Sequence, residues 1–357
     1  MIGRMGQRHG RPTTTLRRWT AAALSLGAAA GIVMGAGTAS AAPTPNKVVD
    51  DAILSGPSTW NIPSSYGARQ NGFPSAVATG LRNPNLAPPG SNDWTCKPKP
   101  GQSPVVLVHG TWLNAYTSWS MLSPSLRRAG YCVFVLNYGI TDITKGGGGL
   151  SAIPGFYGTG DIPTSAKQLK IFVDKVRAAT GSPKVTLVGH SQGGTMSRQY
   201  LKFEDGASKV DRLITIAATN HGTTLSGLGL PPYLLGKIGV DTRGLAVFTG
   251  VSGSQQTIGS QFLKKLNAGG DTVPGVKYTA IATTYDEVST PYYATFLRGP
   301  DVTNVTLQKG CAADHSDHFS INYSPRLVSV VLKTLGAKRS DGTPLELVCA
   351  PNAPLVG

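Results

Sequence analysis

Short apolar runs alternate with longer amphipathic segments along the chain from about residue 103 onward. The apolar runs have the composition of buried strands and lie at 105–108, 131–136, 185–188, 213–217 and 278–282. Apolar residues at helical spacing predict helices at 118–129, 162–179, 195–204 and 324–335, with Gly130, Gly181 and Gly336 near their ends. Strands that alternate with helices form a mostly parallel sheet with helices on both faces. We therefore predict one α/β domain of roughly 250 residues.

The first 41 residues have the composition of a secretory signal peptide. They contain five arginines and no acidic residue, then an apolar stretch at 21–36, then Ala39-Ser40-Ala41. We expect cleavage after Ala41 or Ala42, and hence a secreted protein. The apolar stretch is short and rich in alanine and glycine, which argues against a permanent membrane span. The pair Arg17-Arg18 leaves twin-arginine export open, although the usual hydrophobic residues do not follow it.

Residues 42–100 are rich in proline, asparagine, serine and glycine, and they precede the first predicted strand. Only two short stretches, 48–54 and 74–81, have helical spacing. We interpret this segment as an extension that wraps the core, because Cys96 can pin its end. The remaining residues, 101–357, form the predicted catalytic domain.

The chain carries a formal net charge of +15. Loss of the first 41 residues removes five of its 33 basic residues and none of its 18 acidic ones, which leaves about +10. The remaining basic residues are scattered, and no basic cluster is interleaved with aromatic residues. This distribution argues against binding to nucleic acid and favours solubility or attraction to anionic surfaces.

Four cysteines lie far apart, with no Cys-x-x-Cys pair that would indicate a metal site or a redox dithiol. In an exported protein they predict two disulfides. Of the three possible pairings, Cys96 with Cys132 and Cys311 with Cys349 is the simplest, because each bridge ties a flanking segment to an adjacent core element. Four free buried thiols are the alternative.

The most informative motif is Gly189-His190-Ser191-Gln192-Gly193-Gly194, which directly follows a predicted strand and precedes a predicted helix. In such a glycine-rich chain the spacing Gly-x-Ser-x-Gly is weak by itself, so the strand and helix around it carry the argument. A strand that turns sharply into a helix holds one serine hydroxyl up to solvent, and glycines beside it avoid steric conflict. The motif predicts a nucleophile elbow with Ser191 as the nucleophile.

A serine hydroxyl needs a histidine to accept its proton and a carboxylate to orient that histidine. The order serine, acid, histidine predicts both partners downstream, each after a strand. Asp286 follows the predicted strand 278–282, and His318 follows the predicted strand 302–307. Glu287 is the alternative acid and His315 the alternative base. We prefer Asp286 because it comes first after its strand, and His318 because the last helix begins shortly after it.

Ester chemistry also needs hydrogen-bond donors for the oxygen that becomes negative in the tetrahedral intermediate. One predicted donor is the backbone amide of Gln192, immediately after the nucleophile. The other belongs to the loop His109-Gly110-Thr111 after the strand 105–108, and the Thr111 hydroxyl is a candidate third donor. His190 adjoins Ser191 in sequence and belongs to the elbow, so it is not the expected base. His221 is expected to cap a turn near the site.

The stretch from about 222 to 262 carries little charge and much glycine, leucine, proline and valine. It is too apolar for an ordinary surface loop. A mobile cover or acyl-binding wall would expose such residues towards an apolar substrate, whereas a buried insertion between strands is the alternative.

These motifs together resemble the secreted bacterial triacylglycerol lipases of the α/β-hydrolase superfamily, and they are also similar to the fungal lipase B type. The resemblance covers most of the chain from about residue 103. It rests on Val108-His109-Gly110-Thr111, Gly189-His190-Ser191-Gln192-Gly193-Gly194, Lys209-Val210-Asp211-Arg212-Leu213, His221-Gly222-Thr223, Asn267-Ala268-Gly269-Gly270, Tyr285-Asp286-Glu287-Val288 and Asp317-His318.

The resemblance implies an α/β-hydrolase fold with Ser191 as nucleophile, Asp286 as acid, His318 as base, and Thr111 with Gln192 as oxyanion hole. It implies a lipid or ester substrate met at a lipid–water interface, and no cofactor. The similar family also pairs the cysteines that correspond to Cys311 and Cys349. Many lipases carry a calcium ion, for which loop carboxylates such as Asp314 or Asp317 are candidate ligands, but the sequence does not show a ligand set. The fungal proteins have tryptophan at the position of His190 and proline at that of His109, so acyl and alcohol preferences do not carry over.

The sequence therefore predicts a secreted carboxylic ester hydrolase, a triacylglycerol lipase that works as a monomer. Within the enzymes, the alternatives are a short-chain esterase or polyester hydrolase, and an acyltransferase in which an alcohol takes the place of water. From another class comes a non-catalytic lipid-binding protein that keeps the fold.

Overall fold

The computed structural model of this chain describes residues 58–224, 247 and 249–357. Contacts divide the chain into two units, Met1–Val48 and Val49–Gly357, and the described residues all belong to the second. The predicted signal peptide and the predicted helical stretch at 48–54 lie outside the described residues, as does most of the apolar stretch between 222 and 262.

The strands, in chain order, are β1 (Thr59–Asn61), β2 (Ser65–Tyr66), β3 (Leu86–Ala87), β4 (Val105–Val108), β5 (Val133–Val135), β6 (Asn137–Ile140), β7 (Val185–His190), β8 (Val210–Ile216), β9 (Lys277–Ala282) and β10 (Val302–Thr306). The helices are α1 (Phe73–Arg82), α2 (Ala115–Trp119), α3 (Leu122–Arg128), α4 (Ile162–Thr180), α5 (Gln192–Phe203), α6 (Val251–Gln255), α7 (Gln261–Asn267) and α8 (Pro325–Thr334). Short 3₁₀ turns connect several of them.

A six-stranded sheet forms the centre of the fold, with the strand order β10-β9-β8-β7-β4-β5 and every neighbouring pair parallel. The order reverses at β4, whose neighbours are β5 on one side and β7 on the other. Loops after β4 and β7 therefore leave the sheet in different directions, which opens a crevice at the carboxyl ends of these strands. The mostly parallel sheet predicted from the sequence is confirmed.

Apolar residues cover both faces of this sheet. Along β4, Val106 and Val108 face one cluster and Val105 and Leu107 face the other, as the two-residue period of a strand requires. Helices α4, α5 and α7 supply the first cluster, and α2, α3 and α8 supply the second. Burial on both faces explains why the central strands read as continuous apolar runs.

The predicted helix at 118–129 is wrong in one respect, because the structure divides it between α2 and α3. The break follows from Pro124, which has no amide hydrogen to donate and whose ring would collide with the carbonyl group of Ser120 in a continuous helix. The other predicted helices differ from the observed ones only by a few residues at their ends. Helix α8 begins at Pro325, and the Ser324 side chain accepts a hydrogen bond from the backbone amide of Leu327.

Residues that precede β4 pack along the core. Strand β1 pairs with β6, and Trp94 packs against Phe134 and Phe172 with ring centroids 5.0 and 6.0 Å apart. The cysteines form two disulfides, Cys96–Cys132 and Cys311–Cys349, which is the pairing that the sequence favours. None of the helices in the described part of the chain has both the length and the apolarity that crossing a bilayer requires.

Candidate active site

The turn between β7 and α5 raises one side chain, Ser191, at the carboxyl end of the sheet. Its backbone has φ 52° and ψ −128°, a conformation that costs a residue with a Cβ atom about 1–3 kcal/mol. A Cβ atom at Gly189 would lie 2.5 Å from the carbonyl carbon of Gly193, and one at Gly193 would lie 2.3 Å from the carbonyl oxygen of Val108. Only glycines therefore allow α5 to pack directly against the end of β4.

Three of the predicted side chains form one line of hydrogen bonds. His318 Nε2 lies 3.0 Å from Ser191 Oγ, and His318 Nδ1 lies 3.0 and 3.1 Å from the two carboxylate oxygens of Asp286. The backbone amides of Val288 and Ser289 donate to the Asp286 carboxylate and fix its orientation. All three side chains are buried, Ser191 with 6% of its surface exposed.

The alternative acid and base occupy different places. The Glu287 carboxylate accepts a hydrogen bond from the backbone amide of His318, at 3.2 Å, whereas Asp286 accepts from the ring. His315 packs against Tyr285, with ring centroids 5.1 Å apart, and its Nδ1 lies 3.0 Å from the carbonyl oxygen of Ala313. The geometry brings together the residues that the sequence analysis prefers.

The surroundings of His318 set both its charge and its tautomer. Burial lowers the pKa of His318, but the charge and hydrogen bond of Asp286, together with the charges of Glu287 and Asp317, outweigh burial and raise it above the ordinary value of 6.5. Because a carboxylate only accepts hydrogen bonds, Nδ1 carries the ring proton. Nε2 therefore presents its lone pair to the Ser191 hydroxyl.

His190, the residue before Ser191 in the elbow, contacts the backbone of His318. Its Nε2 lies 3.0 Å from the backbone carbonyl oxygen of His318, which only accepts, so His190 donates this bond. Burial, reinforced by the nearby charge of His318, lowers the pKa of His190 well below its ordinary value. The ring is therefore neutral and can hold the backbone of His318 without repelling its charged form. The sequence carries no signal for this contact, which joins residues 128 positions apart.

The loop after β4 approaches Ser191 closely, since a Cβ atom at Gly110 would lie 3.0 Å from that of Ser191. His109 anchors the loop: its ring stacks on Tyr138, accepts from the Tyr138 amide, and burial lowers its pKa to about 4. Trp112, next in the loop after Thr111, has a positive φ of 57°. This turn places Thr111 beside the elbow.

The predicted oxyanion hole consists of two backbone amides, those of Thr111 and Gln192. Within the described ranges, neither the amide of Thr111 nor that of Gln192 donates to a backbone carbonyl outside the regular elements, and Gln192 is the first residue of α5, where helical amides have no partner within the helix. The Thr111 side chain is already engaged: its Oγ1 donates to Gln192 Oε1 at 2.9 Å and accepts from Gln256 Nε2 at 2.9 Å. Gln256 was not predicted, because no local motif marks it.

A cavity opens above these groups. Ser191, His318 and Thr111 line it, together with Leu113, Val288, Phe319 and three further threonine residues. The middle of the predicted apolar cover, 225–246, lies outside the described residues. In its final part Val251, Phe262 and Leu263 are buried, whereas Thr249, Gly253 and Gln256 line the cavity.

A C-terminal tail, residues 349–357, holds the loop that carries His318. The disulfide Cys311–Cys349 attaches the tail to the start of that loop. Asn352 Nδ2 donates to the carbonyl oxygen of Ser320 at 3.1 Å, and the Leu355 amide donates to Asp317 Oδ2 at 2.7 Å. The position of the histidine thus depends on chain that is far from the elbow in sequence.

The carboxylates considered for calcium are used within this same loop. Asp314 accepts from the Ser316 amide at 2.9 Å and from Ser324 Oγ at 2.5 Å, and Asp317 accepts from the Ser320 amide at 2.7 Å. Both carboxylates therefore serve to order the loop in which they lie. Across residues 58–224 and 249–357, no group of three or more His, Cys, Asp or Glu side chains could hold a metal ion.

The sequence matches the family model described as Lipase (class 2) over residues 102–323. Triacylglycerol lipases of Pseudarthrobacter phenanthrenivorans and Burkholderia plantarii are each 29% identical over 156 residues, or 42% of this chain. These matches span 44% and 39% of the two relatives, less than half of either protein. The crystal structure of Aspergillus fumigatus lipase B is similar with a TM-score of 0.54 and 22% identity, covering 73% of this chain and 56% of that one, a likeness in fold.

The two disulfides close loops of nearly equal length, 36 and 38 residues, so replacing either pair by serine should lower the free energy of unfolding by about 4 kcal/mol. Only Cys311–Cys349 anchors the histidine loop. We expect the Cys311→Ser/Cys349→Ser variant to hydrolyse a soluble p-nitrophenyl ester about tenfold more slowly, because small displacements of a catalytic group are costly. Denaturant unfolding and initial rates measure the two effects.

The Cys96→Ser/Cys132→Ser variant is the matched control. It should lose similar stability but keep its rate under conditions where the protein is folded. Equal rates for the two variants would show that the tail does not position His318.

Proposed function

The chain belongs to the class 2 lipase family, and we propose on that basis that it is a secreted serine carboxylic ester hydrolase acting on acylglycerols. The observation that carries the proposal is the unbroken line from Ser191 Oγ through the His318 ring to the Asp286 carboxylate. This line joins a hydroxyl, an imidazole and a carboxylate, and its Ser191 and His318 line a cavity.

In the proposed reaction, Ser191 Oγ attacks the ester carbonyl carbon while His318 Nε2 takes the hydroxyl proton. The ring then carries a positive charge, which the adjacent Asp286 carboxylate stabilises. The carbonyl oxygen becomes negative and receives hydrogen bonds from the amides of Thr111 and Gln192. His318 returns its proton to the departing alcohol, which leaves an acyl group on Ser191.

Water completes the cycle by the same route in reverse. His318 removes a proton from the water as its oxygen attacks the acyl carbonyl carbon, and the proton then passes to Ser191 Oγ as the carboxylic acid leaves. No step needs a metal ion or an organic cofactor. An alcohol in place of water would make the same intermediate yield a new ester, which is the acyltransferase alternative.

Acylglycerols fit the apolar part of the cavity, where Leu113, Val288 and Phe319 lie beside Ser191. The similarity to proteins named triacylglycerol lipases supports this substrate class. Secretion is supported by the signal-like composition of residues 1–41 and by two disulfides, which persist in oxidising compartments.

The test compares the mature protein with its Ser191→Ala variant on p-nitrophenyl esters of increasing length and on emulsified triacylglycerol. We expect hydrolysis of both substrate types, and a loss of about a million-fold in kcat for the variant, because the nucleophile contributes nearly all covalent catalysis. Activity restricted to short soluble esters would assign an esterase instead of a lipase. Equal rates for the two proteins would contradict the assignment of Ser191.

The pH dependence tests the roles of His318 and Asp286. Only the neutral ring accepts a proton, so kcat/KM should fall on the acid side with an apparent pKa above 6.5, since the pKa of His318 is raised. Asp286→Asn removes the negative charge that contributes most to raising the pKa of His318. We expect this variant to lose about 10⁴-fold in kcat and its acid limb to move to lower pH.

Glu287→Gln serves as the control for charge alone, because Glu287 contacts the backbone of His318 but not its ring. Glu287→Gln should also move the acid side of the kcat/KM profile to lower pH, but with a much smaller loss of kcat than Asp286→Asn. An acid limb that stays in place in Asp286→Asn would exclude Asp286 as the partner of His318.

A further inference from the structure

A series of side-chain hydrogen bonds reaches the Thr111 hydroxyl, which lines the same cavity as Ser191. Gln256 Nε2 donates to Thr111 Oγ1 at 2.9 Å, and Thr219 Oγ1 donates to Gln256 Oε1 at 2.9 Å. Thr195 Oγ1, on α5, lies 3.0 Å from Thr219 Oγ1 and extends this series of hydrogen bonds. Gln256 and Thr219 are at most 5% exposed, and both line the same cavity as Ser191.

The geometry fixes which end of the Gln256 amide faces Thr111. Gln256 Nε2 also donates to the carbonyl oxygen of Ser252 at 3.0 Å, and a carbonyl oxygen can only accept. The oxygen end of the amide is occupied by the Thr219 hydroxyl. If the amide were flipped, Gln256 Oε1 would face the carbonyl oxygen of Ser252, and neither oxygen can donate. The donor end of Gln256 must therefore point at Thr111.

This direction determines what the Thr111 hydroxyl can do. Thr111 Oγ1 receives a hydrogen from Gln256, which leaves its own hydrogen for a different acceptor. In the structure that acceptor is Gln192 Oε1, at 2.9 Å. A negative oxygen forming beside Ser191 attracts the hydrogen more strongly than a neutral amide oxygen does, because hydrogen bonds to charged acceptors are about twice as strong.

We propose that Gln256 is a positioning residue for the oxyanion hole: by donating to Thr111 Oγ1, it keeps the Thr111 hydroxyl hydrogen available to the negative oxygen of the transition state. The inference rests on the proposed function. It assigns a role to a residue from the end of α6, 65 positions beyond the nucleophile in a part of the chain without a recognisable motif. Gln256 lines the same cavity as Ser191, and its proposed role is exerted through the hydrogen bond to Thr111 Oγ1.

The test is a double-mutant cycle of Gln256→Leu and Thr111→Val, with kcat and KM measured on a soluble p-nitrophenyl ester. Losing one oxyanion-hole donor costs about 10²–10³ in kcat, so we expect about a hundredfold loss for Thr111→Val and about tenfold for Gln256→Leu. KM should change little, because the negative charge exists only in the transition state. In the Thr111→Val background, Gln256→Leu should lower kcat less than about twofold, since the coupled group is gone.

Gln255→Leu is the matched control on the same helix. Its side chain also makes two buried hydrogen bonds, from the Ile162 amide and to Asp161 Oδ1, but neither leads to Thr111. Both leucine variants should lower the melting temperature similarly, and only Gln256→Leu should lower kcat. Gln256→Glu, which keeps the size of the side chain, supplies an acceptor in place of the donor and should lower kcat further than Gln256→Leu.

A kcat for Gln256→Leu within about twofold of the wild type, or an equal loss in both Thr111 backgrounds, would overturn the positioning role. A more active Gln256→Glu than Gln256→Leu would overturn it as well. These outcomes leave the proposed function standing, provided that the wild-type protein hydrolyses the ester and Ser191→Ala does not. A wild-type protein that hydrolyses no ester would refute both proposals.

Discussion

The backbone contact between the N-terminus of α5 and the carboxyl end of β4 is the constraint on which the site depends. A Cβ atom at Gly193 would lie 2.3 Å from the carbonyl oxygen of Val108, so the approach is possible only for glycine. This approach, at the point where the strand order reverses, sets Ser191 in its unusual backbone conformation. It also brings the loop after β4 beside the elbow, where a Cβ atom at Gly110 would lie 3.0 Å from that of Ser191. The backbone conformation of Ser191 and the approach of this loop therefore depend on one steric condition.

The position of His318 depends on a different kind of interaction. Its loop contains little regular structure, and the buried carboxylates of Asp314 and Asp317 organise it by accepting hydrogen bonds from neighbouring amides and hydroxyls. The C-terminal tail and the disulfide Cys311–Cys349 close the loop from outside, while His190 holds the backbone carbonyl of His318 from inside. A charged form of His318 is tolerated there because its inner neighbour is neutral and its outer neighbours are acidic. This part of the support needs an oxidised disulfide, and disulfides persist in oxidising environments.

Local sequence was sufficient for those features that one segment determines alone. The central strands could be predicted because burial on both faces makes them apolar throughout, and Ser191 because its glycines follow from the turn itself. The order of acid and histidine along the fold was enough to nominate Asp286 and His318. The division between α2 and α3 was missed, although Pro124 marks it, because apolar spacing continues across the break.

Contacts between distant segments could not be predicted in this way. Gln256 meets Thr111 across 145 positions, and His190 meets His318 across 128, and neither pairing leaves a pattern in the residues nearby. In the sequence, a buried glutamine cannot be distinguished from any other polar residue, because its hydrogen-bond partners are known only from the fold. The support of the site therefore comes from residues that the sequence alone does not distinguish, whereas its reacting groups lie in recognisable motifs.

The most direct measurement of the central claim is covalent labelling of the mature protein with a fluorophosphonate, followed by mass spectrometric mapping of the modified residue. The arrangement of Ser191, His318 and Asp286 predicts one phosphonyl group per chain, attached to Ser191, and much slower labelling when His318 is replaced by alanine. Labelling at a different residue, or at Ser191 with equal speed in the absence of the His318 ring, would contradict it.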